Sequence, residues 1–346
     1  MADTQRRYNA GVQRAKGLLE IASALYDTSL SNVASRGTAG VTQVDSRMGS
    51  RVNIQVKASN TRAGGVDLML TAGGFVDALQ AVGRGELSLL WINPSVALTM
   101  AYRGTGPFKQ ALPLRAIAVF PSPDSMAFAV RRSSGITSIK DIVARKLPLK
   151  VSTREAILPP FHGDCTMYAV DAILRAAGGS LKSIQDWGGE LRTVPRPSDE
   201  VRMDHINSGW ADAVFDEGVP SWANDAIAND FEFLPIDGAI QEEMLALGFR
   251  ASFLRKAEFH GLEADVPTID FSGWPLVVHS DMHDDVAHAL CETLELRQDA
   301  IPTDNFLPLD LRQLVADDSE SPLDVPLHPG AKRFYSERGL LNLRTQ

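Results

Sequence analysis

The stretch LKVSTREAILPPFHGDCTMYAVDAILRAAGG, residues 149–179, contains one complete strand-to-helix unit. Residues 149–153 predict a β-strand from their composition. Residues 166–177 predict a helix, and the pair Gly178-Gly179 is typical of a helix end. The segment His162-Gly-Asp-Cys165 lies just before this helix. The stretch therefore predicts a strand, a loop with chemically reactive side chains and a helix, in that order.

The same order of elements recurs in the residues that flank this stretch. Segments with strand and helix patterns alternate from about residue 52 to residue 235. Such alternation is typical of an α/β domain, and we expect a largely parallel sheet. A return strand follows at 273–279 and a further helix at 284–297. In the first 27 residues, apolar side chains at helical spacing predict an amphipathic helix.

Length and charge narrow the class of protein. The chain has 346 residues. A single compact core usually supports a shorter chain than this, so we expect two lobes. The net charge of −9 argues against a nucleic-acid-binding surface, because phosphate contacts need clustered lysine and arginine. No long apolar run is present, so we do not expect a membrane-embedded protein.

The expected compartment follows from the cysteines and from the N-terminal residues. Cys165 and Cys291 are too few for a disulfide framework and fit a reducing compartment. The N-terminal residues lack an apolar core followed by a small-residue cleavage site, which is the pattern of a secretory signal. We therefore expect a cytoplasmic protein, or a periplasmic one if a leader was removed from this sequence.

Several segments match one known family in their order and spacing. They are GFVDALQAVGRGEL (74–87), AYRGTGPF (101–108), SGITSIKDI (134–142), GWADAVF with GVP (209–215 and 218–220) and VPLHPGAKRFYSERG (325–339). Together they resemble the TAXI solute-binding proteins of TRAP transporters, and the last segment is the sharpest match.

The resemblance implies an α/β fold of the periplasmic-binding-protein type II class, in which two lobes flank a ligand cleft and close on a small ligand. Residues 1–122 would form the first part of lobe I, residues 123–236 would form lobe II, and residues 237–346 would form the return segment, the hinge and the rest of lobe I. Hinge motion is expected near residues 121–126 and 236–272. The implied ligand is a small, polar, carboxylate-bearing metabolite, and the implied partners are TRAP membrane subunits.

The chain departs from the family at residues 163–166, where Gly-Asp-Cys-Thr stands in place of the family's Gly-Ser-Gly-Thr turn. Asp164 is a suitable helix N-cap. Cys165 would then lie in the first helical turn, where the helix dipole lowers a thiol pKa, and His162 is close enough in sequence to act as a base. Three interpretations remain open: a catalytic thiolate, a non-covalent lining of the cleft, and a purely structural helix start.

Two main functions are therefore compatible with the sequence. The leading hypothesis is a TAXI-type solute receptor. The alternative is a cytosolic enzyme on the same fold, a decarboxylase, lyase or hydrolase of a small carboxylic acid, with Cys165, His162 and Asp164 as its catalytic residues. A cytosolic ligand sensor is a third possibility. No cofactor is expected, because nucleotide-binding, serine-hydrolase and paired-cysteine zinc motifs are absent from the sequence.

Ligand contacts are expected at strand ends and helix starts, because ligands of open α/β sheets bind beyond the carboxyl ends of strands. Arg154 could bind a carboxylate through two hydrogen bonds, although it could instead pair with Glu155 or Asp164 on the surface. Glu217 could accept a hydrogen bond from a ligand amine or hydroxyl, or lie in a solvated loop. The predicted ligand contacts are Gly73, Gly74, Asn93, Ser95, Ser152, Thr153, Arg154, Asp164, Thr166, Phe215 and Glu217.

Two further features are interpreted as structural. Trp91 follows an apolar strand pattern and is expected in the core. His279 and His283 have a spacing that suits zinc on a helix, but His279 is predicted to end a strand. We therefore expect an acid-rich helix N-terminus after residue 280 and no metal site.

Overall fold

The computed structural model describes residues 10–27, 37–45, 51–61, 64–72, 75–155, 165–301, 303 and 309–341. The chain divides into two compact units. The central unit contains Asp124–Phe271, and the outer unit contains Tyr8–Pro123 and Ser272–Gln346. The chain thus passes between the two units twice.

The described residues form strands and helices that we number in chain order. The strands are β1 Gly37–Asp45, β2 Arg51–Thr61, β3 Gly64–Ala72, β4 Leu89–Trp91, β5 Leu114–Phe120, β6 Ala127–Arg131, β7 Lys150–Arg154, β8 Glu190–Val194, β9 Ala213–Asp216, β10 Phe231–Leu234, β11 Ala251–Leu254, β12 Val266–Ile269 and β13 Trp274–His279. The helices are α1 Ala10–Asp27, α2 Val76–Gly83, α3 Ser95–Arg103, α4 Ile139–Ala144, α5 Cys165–Ala176, α6 Leu181–Asp186, α7 Glu200–Asn207, α8 Ala223–Ala228, α9 Gly238–Leu247, α10 Asp284–Leu296 and α11 Pro329–Glu337.

The outer unit is built on a six-stranded sheet with the order β1-β2-β3-β4-β13-β5. Only the β3–β4 pair of this described sheet is parallel, and helix α2 connects its two strands. The core strands β5 and β13 are almost wholly buried, as their continuous apolar sequences predict. Helix α1 packs on this sheet, and Gly17 allows the approach because a Cβ there would lie 2.3 Å from the Trp91 ring.

The central unit is built on a five-stranded sheet with the order β10-β6-β9-β7-β8. Strands β7, β8 and β9 are parallel to one another, whereas β6 and β10 run against their neighbours. The prediction of a largely parallel sheet is therefore wrong, because return strands give both sheets mixed pairing. Within the parallel part, Thr153 of β7 is aligned with Phe215 of β9, so these two strands end at the same edge.

Residues 237–271 fall in the central unit, whereas residues 237–346 as a whole are expected from the sequence to form the return segment, the hinge and the rest of lobe I. The Ile236 N–H donates to the Pro267 carbonyl at 2.9 Å, and the Met126 N–H donates to the Ile269 carbonyl at 3.1 Å. These backbone bonds tie β12 of the β11–β12 hairpin to the residue that precedes β6 and to the residues that follow β10. The hairpin strands are short and half exposed, so their sequences lack the apolar pattern by which a buried strand is recognised.

The fold class is α/β in two units that the chain joins through two crossings, as in a periplasmic-binding-protein-like type II architecture. The predicted fold class is thus confirmed. The expected cleft and hinge motion concern the relation between the two units and stay predictions.

The segment VPLHPGAKRFYSERG has a structural role in the outer unit. His328 caps α11, since its Nδ1 accepts a hydrogen bond from the Gly330 N–H at 3.2 Å. Burial lowers the pKa of His328, and the nearby Asp284 carboxylate opposes this shift. A Cβ on Gly330 would lie 2.1 Å from the Asp284 carbonyl oxygen, so glycine is required where α11 meets the start of α10.

We predict that Gly330→Ala lowers the free energy of unfolding by about 1–3 kcal/mol or more, because the backbone of α10 must move to admit the methyl group. Urea denaturation measures the loss. Gly83→Ala is the matched control, since a Cβ there meets Leu112 at an ordinary 3.5 Å. We expect no loss of stability in that variant, and equal losses in the two variants would contradict this account of Gly330.

Candidate functional site

Three charged side chains meet where β7 and β9 end in the central unit. Arg154 is the last residue of β7, Asp216 is the last residue of β9, and Glu217 follows it. The Arg154 Nε lies 3.5 Å from Asp216 Oδ2, and its Nη2 pairs with Glu217 Oε1. Among the described residues, Asp216 and Glu217 are thus the acidic partners of Arg154. Asp164, which the sequence offers as an alternative partner beside Glu155, lies outside the described residues.

A second arginine, Arg202 of α7, completes this charged cluster and is missing from the predicted site. Its Nη2 lies 2.5 Å from Asp216 Oδ2, and both side chains are fully buried. Burial lowers the pKa of the Arg202 guanidinium, and the Asp216 carboxylate opposes this shift. Among the described residues, the Nε and Nη1 of Arg202 and the Nε of Arg154 have no hydrogen-bond partner. The cluster therefore holds two positive and two negative charges and retains hydrogen-bond donors.

The backbone that carries Glu217 is fixed from several sides. The Asp216 Oδ1 accepts from the Glu217 N–H at 2.8 Å, and the Trp222 Nε1–H donates to the Glu217 carbonyl at 3.0 Å. The next N–H, of Gly218, donates to both carboxylate oxygens of Asp124 at 3.0 Å. Gly218 has a φ of 61°, the left-handed region that glycine adopts readily. The segment GVP thus marks a rigid turn after β9.

Ser152 and Thr153 lie on opposite faces of the sheet. Ser152 Oγ shares a hydrogen bond of 2.9 Å with His205 Nδ1 on the α7 side. Thr153 Oγ1 donates to the Phe215 carbonyl at 2.7 Å and lies 3.6 Å from the sulfur of Met167 in the first turn of α5. Both serine and threonine are fully buried. Their role as ligand contacts stays a prediction, and their observed partners are protein groups.

Phe215 is also fully buried, and its ring stacks on Phe128 at a centroid distance of 4.1 Å. Cys165 and Thr166 begin α5 and are buried. His162 and Asp164 lie outside the described residues, so the proposed catalytic grouping with Cys165 stays a prediction.

In the outer unit, the predicted residues lie around the start of α3. Ser95 is the first residue of this helix, and its N–H donates to the Ser272 carbonyl at 3.0 Å. Its buried Oγ has no hydrogen-bond partner within the part of the chain that the structure describes. Asn93 is half-buried and precedes Pro94 through a cis peptide bond. Gly73 and Gly74 lie outside the described residues. The contact of Asn93 and Ser95 with a ligand stays a prediction.

Trp91 lies in the core of the outer unit, as predicted. It is fully buried, its Nε1–H donates to the Trp274 carbonyl at 3.3 Å, and its ring lies 4.5 Å from that of Phe120.

The C-terminal histidines occupy separate positions. His279 ends β13, and the Nδ1 of His283 caps α10 by accepting from the Asp285 N–H at 3.2 Å. The described residues contain no group of three or more histidine, cysteine or acidic side chains arranged to hold a metal ion. Among the described helices, none combines the length and the apolar character that a bilayer span requires.

A sequence model of the NMT1-like family matches residues 36–339. The chain belongs to the NMT1-like family. Solved structures with partial similarity to this family member include the second substrate-binding domain of a putative amino acid ABC transporter from Streptococcus pneumoniae. That structure is 14% identical, with a TM-score of 0.27, and the match covers 64% of this chain and 72% of the other.

Two more solved structures are similar over parts of their length. An ABC transporter periplasmic binding protein from Brucella ovis with glutathione bound is 14% identical, with a TM-score of 0.29, and the match covers 64% of this chain and 51% of the other. A structure described as a periplasmic transporter is 10% identical, with a TM-score of 0.35, and the match covers 79% of this chain and 82% of the other.

We predict that Asp216→Asn lowers the free energy of unfolding by about 3–5 kcal/mol, because it leaves the buried Arg202 charge without a counter-charge. Asp186→Asn is the control, since it breaks an exposed pair with Lys182 and should cost less than about 1 kcal/mol. Urea denaturation of both variants measures the difference. Small and equal losses would show that Arg202 does not depend on Asp216.

Proposed function

We propose that this member of the NMT1-like family binds a small, polar, carboxylate-bearing metabolite as a solute receptor of the TAXI type. The observation that carries the proposal is the position of Arg154. Its guanidinium lies at the edge where two parallel strands end, and 13% of its side chain is exposed. Ligands of open α/β sheets bind beyond this end of the strands.

The chemistry of Arg154 supports a carboxylate as the bound group. A guanidinium presents paired N–H donors in a plane that matches the two oxygens of a carboxylate. The surroundings of Arg154 are largely buried, and an ionic hydrogen bond is stronger there than in open water. The Arg154 Nη1 also donates to the Pro195 carbonyl at 3.3 Å, which helps to hold the side chain in place.

Helix α5 adds a second attraction for an anion. The Thr153 contact with Met167 places the first turn of α5 beside the end of β7. The positive end of a helix dipole favours negative charge within about one turn. The start of α5 therefore favours negative charge near the end of β7.

The TAXI assignment is supported by the order of the matching segments along the chain, which fall within the residues that the family matches. For a receptor of this type, the partners would be the membrane subunits of a TRAP transporter. The proposed chemistry needs no cofactor, because reversible binding is the whole of the reaction.

We predict that Arg154→Ala weakens binding of the carboxylate ligand by about tenfold to a hundredfold, the loss expected for a hydrogen bond to a charged group. A thermal-shift screen of small carboxylates identifies the ligand, and calorimetry measures its dissociation constant. Arg175→Ala is the matched control, since this exposed arginine pairs with Asp171 in the same unit. Unchanged binding by Arg154→Ala would remove Arg154 from the site.

Location in the cell tests the transporter role separately. If the chain serves a TRAP transporter, fractionation of its native cells should find the mature protein outside the cytoplasmic membrane. Recovery of the protein in the cytosol with Met1 intact would contradict the transporter role and support the cytoplasmic expectation. Ligand binding by purified protein would be unaffected by either result.

A further inference from the structure

The charged cluster at the ends of β7 and β9 contains an inner and an outer ion pair with different access to solvent, linked by the 3.5 Å contact between Arg154 Nε and Asp216 Oδ2. In the inner pair, the side chains of Arg202 and Asp216 are both fully buried. The outer pair, Arg154 with Glu217, retains 13% and 12% exposure of its side chains. A ligand arriving at this edge therefore meets the outer pair first.

Glu217 has a fixed backbone and an unbranched side chain. Hydrogen bonds from Trp222 and to Asp216 hold its carbonyl and its N–H. The side chain extends from this anchor and pairs through Oε1 with Arg154 Nη2. Rotation about the bonds of this side chain can move the carboxylate away from Arg154 without any change in the backbone.

We propose that Glu217 occupies the position of the ligand's carboxylate in the unliganded protein and competes with the ligand for Arg154. This inference rests on the proposed function. Binding is then an exchange of one carboxylate for another on the same guanidinium. Because Asp216 keeps Arg202 as its own partner, Glu217 is the acid of the cluster that can leave.

The competition lowers the affinity of the site for its ligand. A carboxylate attached to the same chain acts at a high effective concentration, which a free ligand must overcome. The exchange also keeps an acid on the Arg154 Nη2 in a largely buried place, where the loss of that partner would be costly. Glu217 thus keeps the Arg154 guanidinium in a position to bind a carboxylate. It also determines the ligand concentration at which the site is half occupied.

Labelling with phenylglyoxal, which reacts with accessible and unpaired guanidinium groups, tests the pairing without knowledge of the natural ligand. Peptide mass spectrometry gives the rate of reaction at Arg154. In Glu217→Gln we expect this labelling rate to be several-fold higher than in the protein without substitutions. Glu155→Gln is the control, since Glu155 is exposed and adjacent in sequence, and its removal should not change the rate. Equal rates in all three proteins would overturn the proposal.

Acetate, used as the simplest carboxylate probe, tests the competition itself. Acetate bound to Arg154 should slow its labelling. We expect the acetate concentration that halves the labelling rate to be about tenfold lower in Glu217→Gln than in the protein without substitutions. A higher concentration would mean that Glu217 assists the ligand, and the proposal would be wrong. Rising reactivity without any protection by acetate would contradict both the competition and the carboxylate receptor.

Glu217→Asp keeps the test decisive if Glu217→Gln does not fold. Aspartate retains the charge but is one methylene shorter, so its pair with Arg154 should be weaker. Labelling of Arg154 in this variant should be faster than in the protein without substitutions. If the rate stays the same, Glu217 does not protect Arg154, whatever the outcome of the ligand screen.

Discussion

The buried ion pair between Arg202 and Asp216 is the interaction on which the candidate site depends. Taking both charges out of water is costly, and the cost is offset only when the two groups stay together. The pair joins helix α7 to the end of β9. Because Arg202 is the closer partner of Asp216, the Nη2 of Arg154 can pair with another acid.

Most elements of the fold could be predicted from local sequence, since strands such as β5 and helices such as α10 carry apolar side chains at the right spacing. Strand direction was less predictable. The direction of β6 and β13 depends on where the chain returns between units, and no local pattern encodes this. The hairpin of β11 and β12 was missed because its short, half-exposed strands lack an apolar face.

The site could be predicted only in part, and the reasons are physical. Arg154 and Glu217 follow from the rule that polar residues at strand ends face a ligand. Ser152 and Thr153, however, point to opposite faces of β7, as the alternation of a strand requires, so one surface cannot use both in the same way. Arg202 was missed because an arginine within a helix is usually exposed. Arg202 lies four residues before the buried Ile206, and residues four apart lie on the same face of a helix. This spacing indicates that Arg202 lies on the buried face of α7.

The central claim is that Arg154 binds the carboxylate of a small metabolite, and the most direct test is a crystal structure of the protein with the carboxylate found in a ligand screen. The account predicts both ligand oxygens within hydrogen-bond distance of the Arg154 guanidinium, with the Glu217 side chain turned away and the Arg202–Asp216 pair intact. A ligand bound elsewhere, with Arg154 still paired to Glu217, would contradict it.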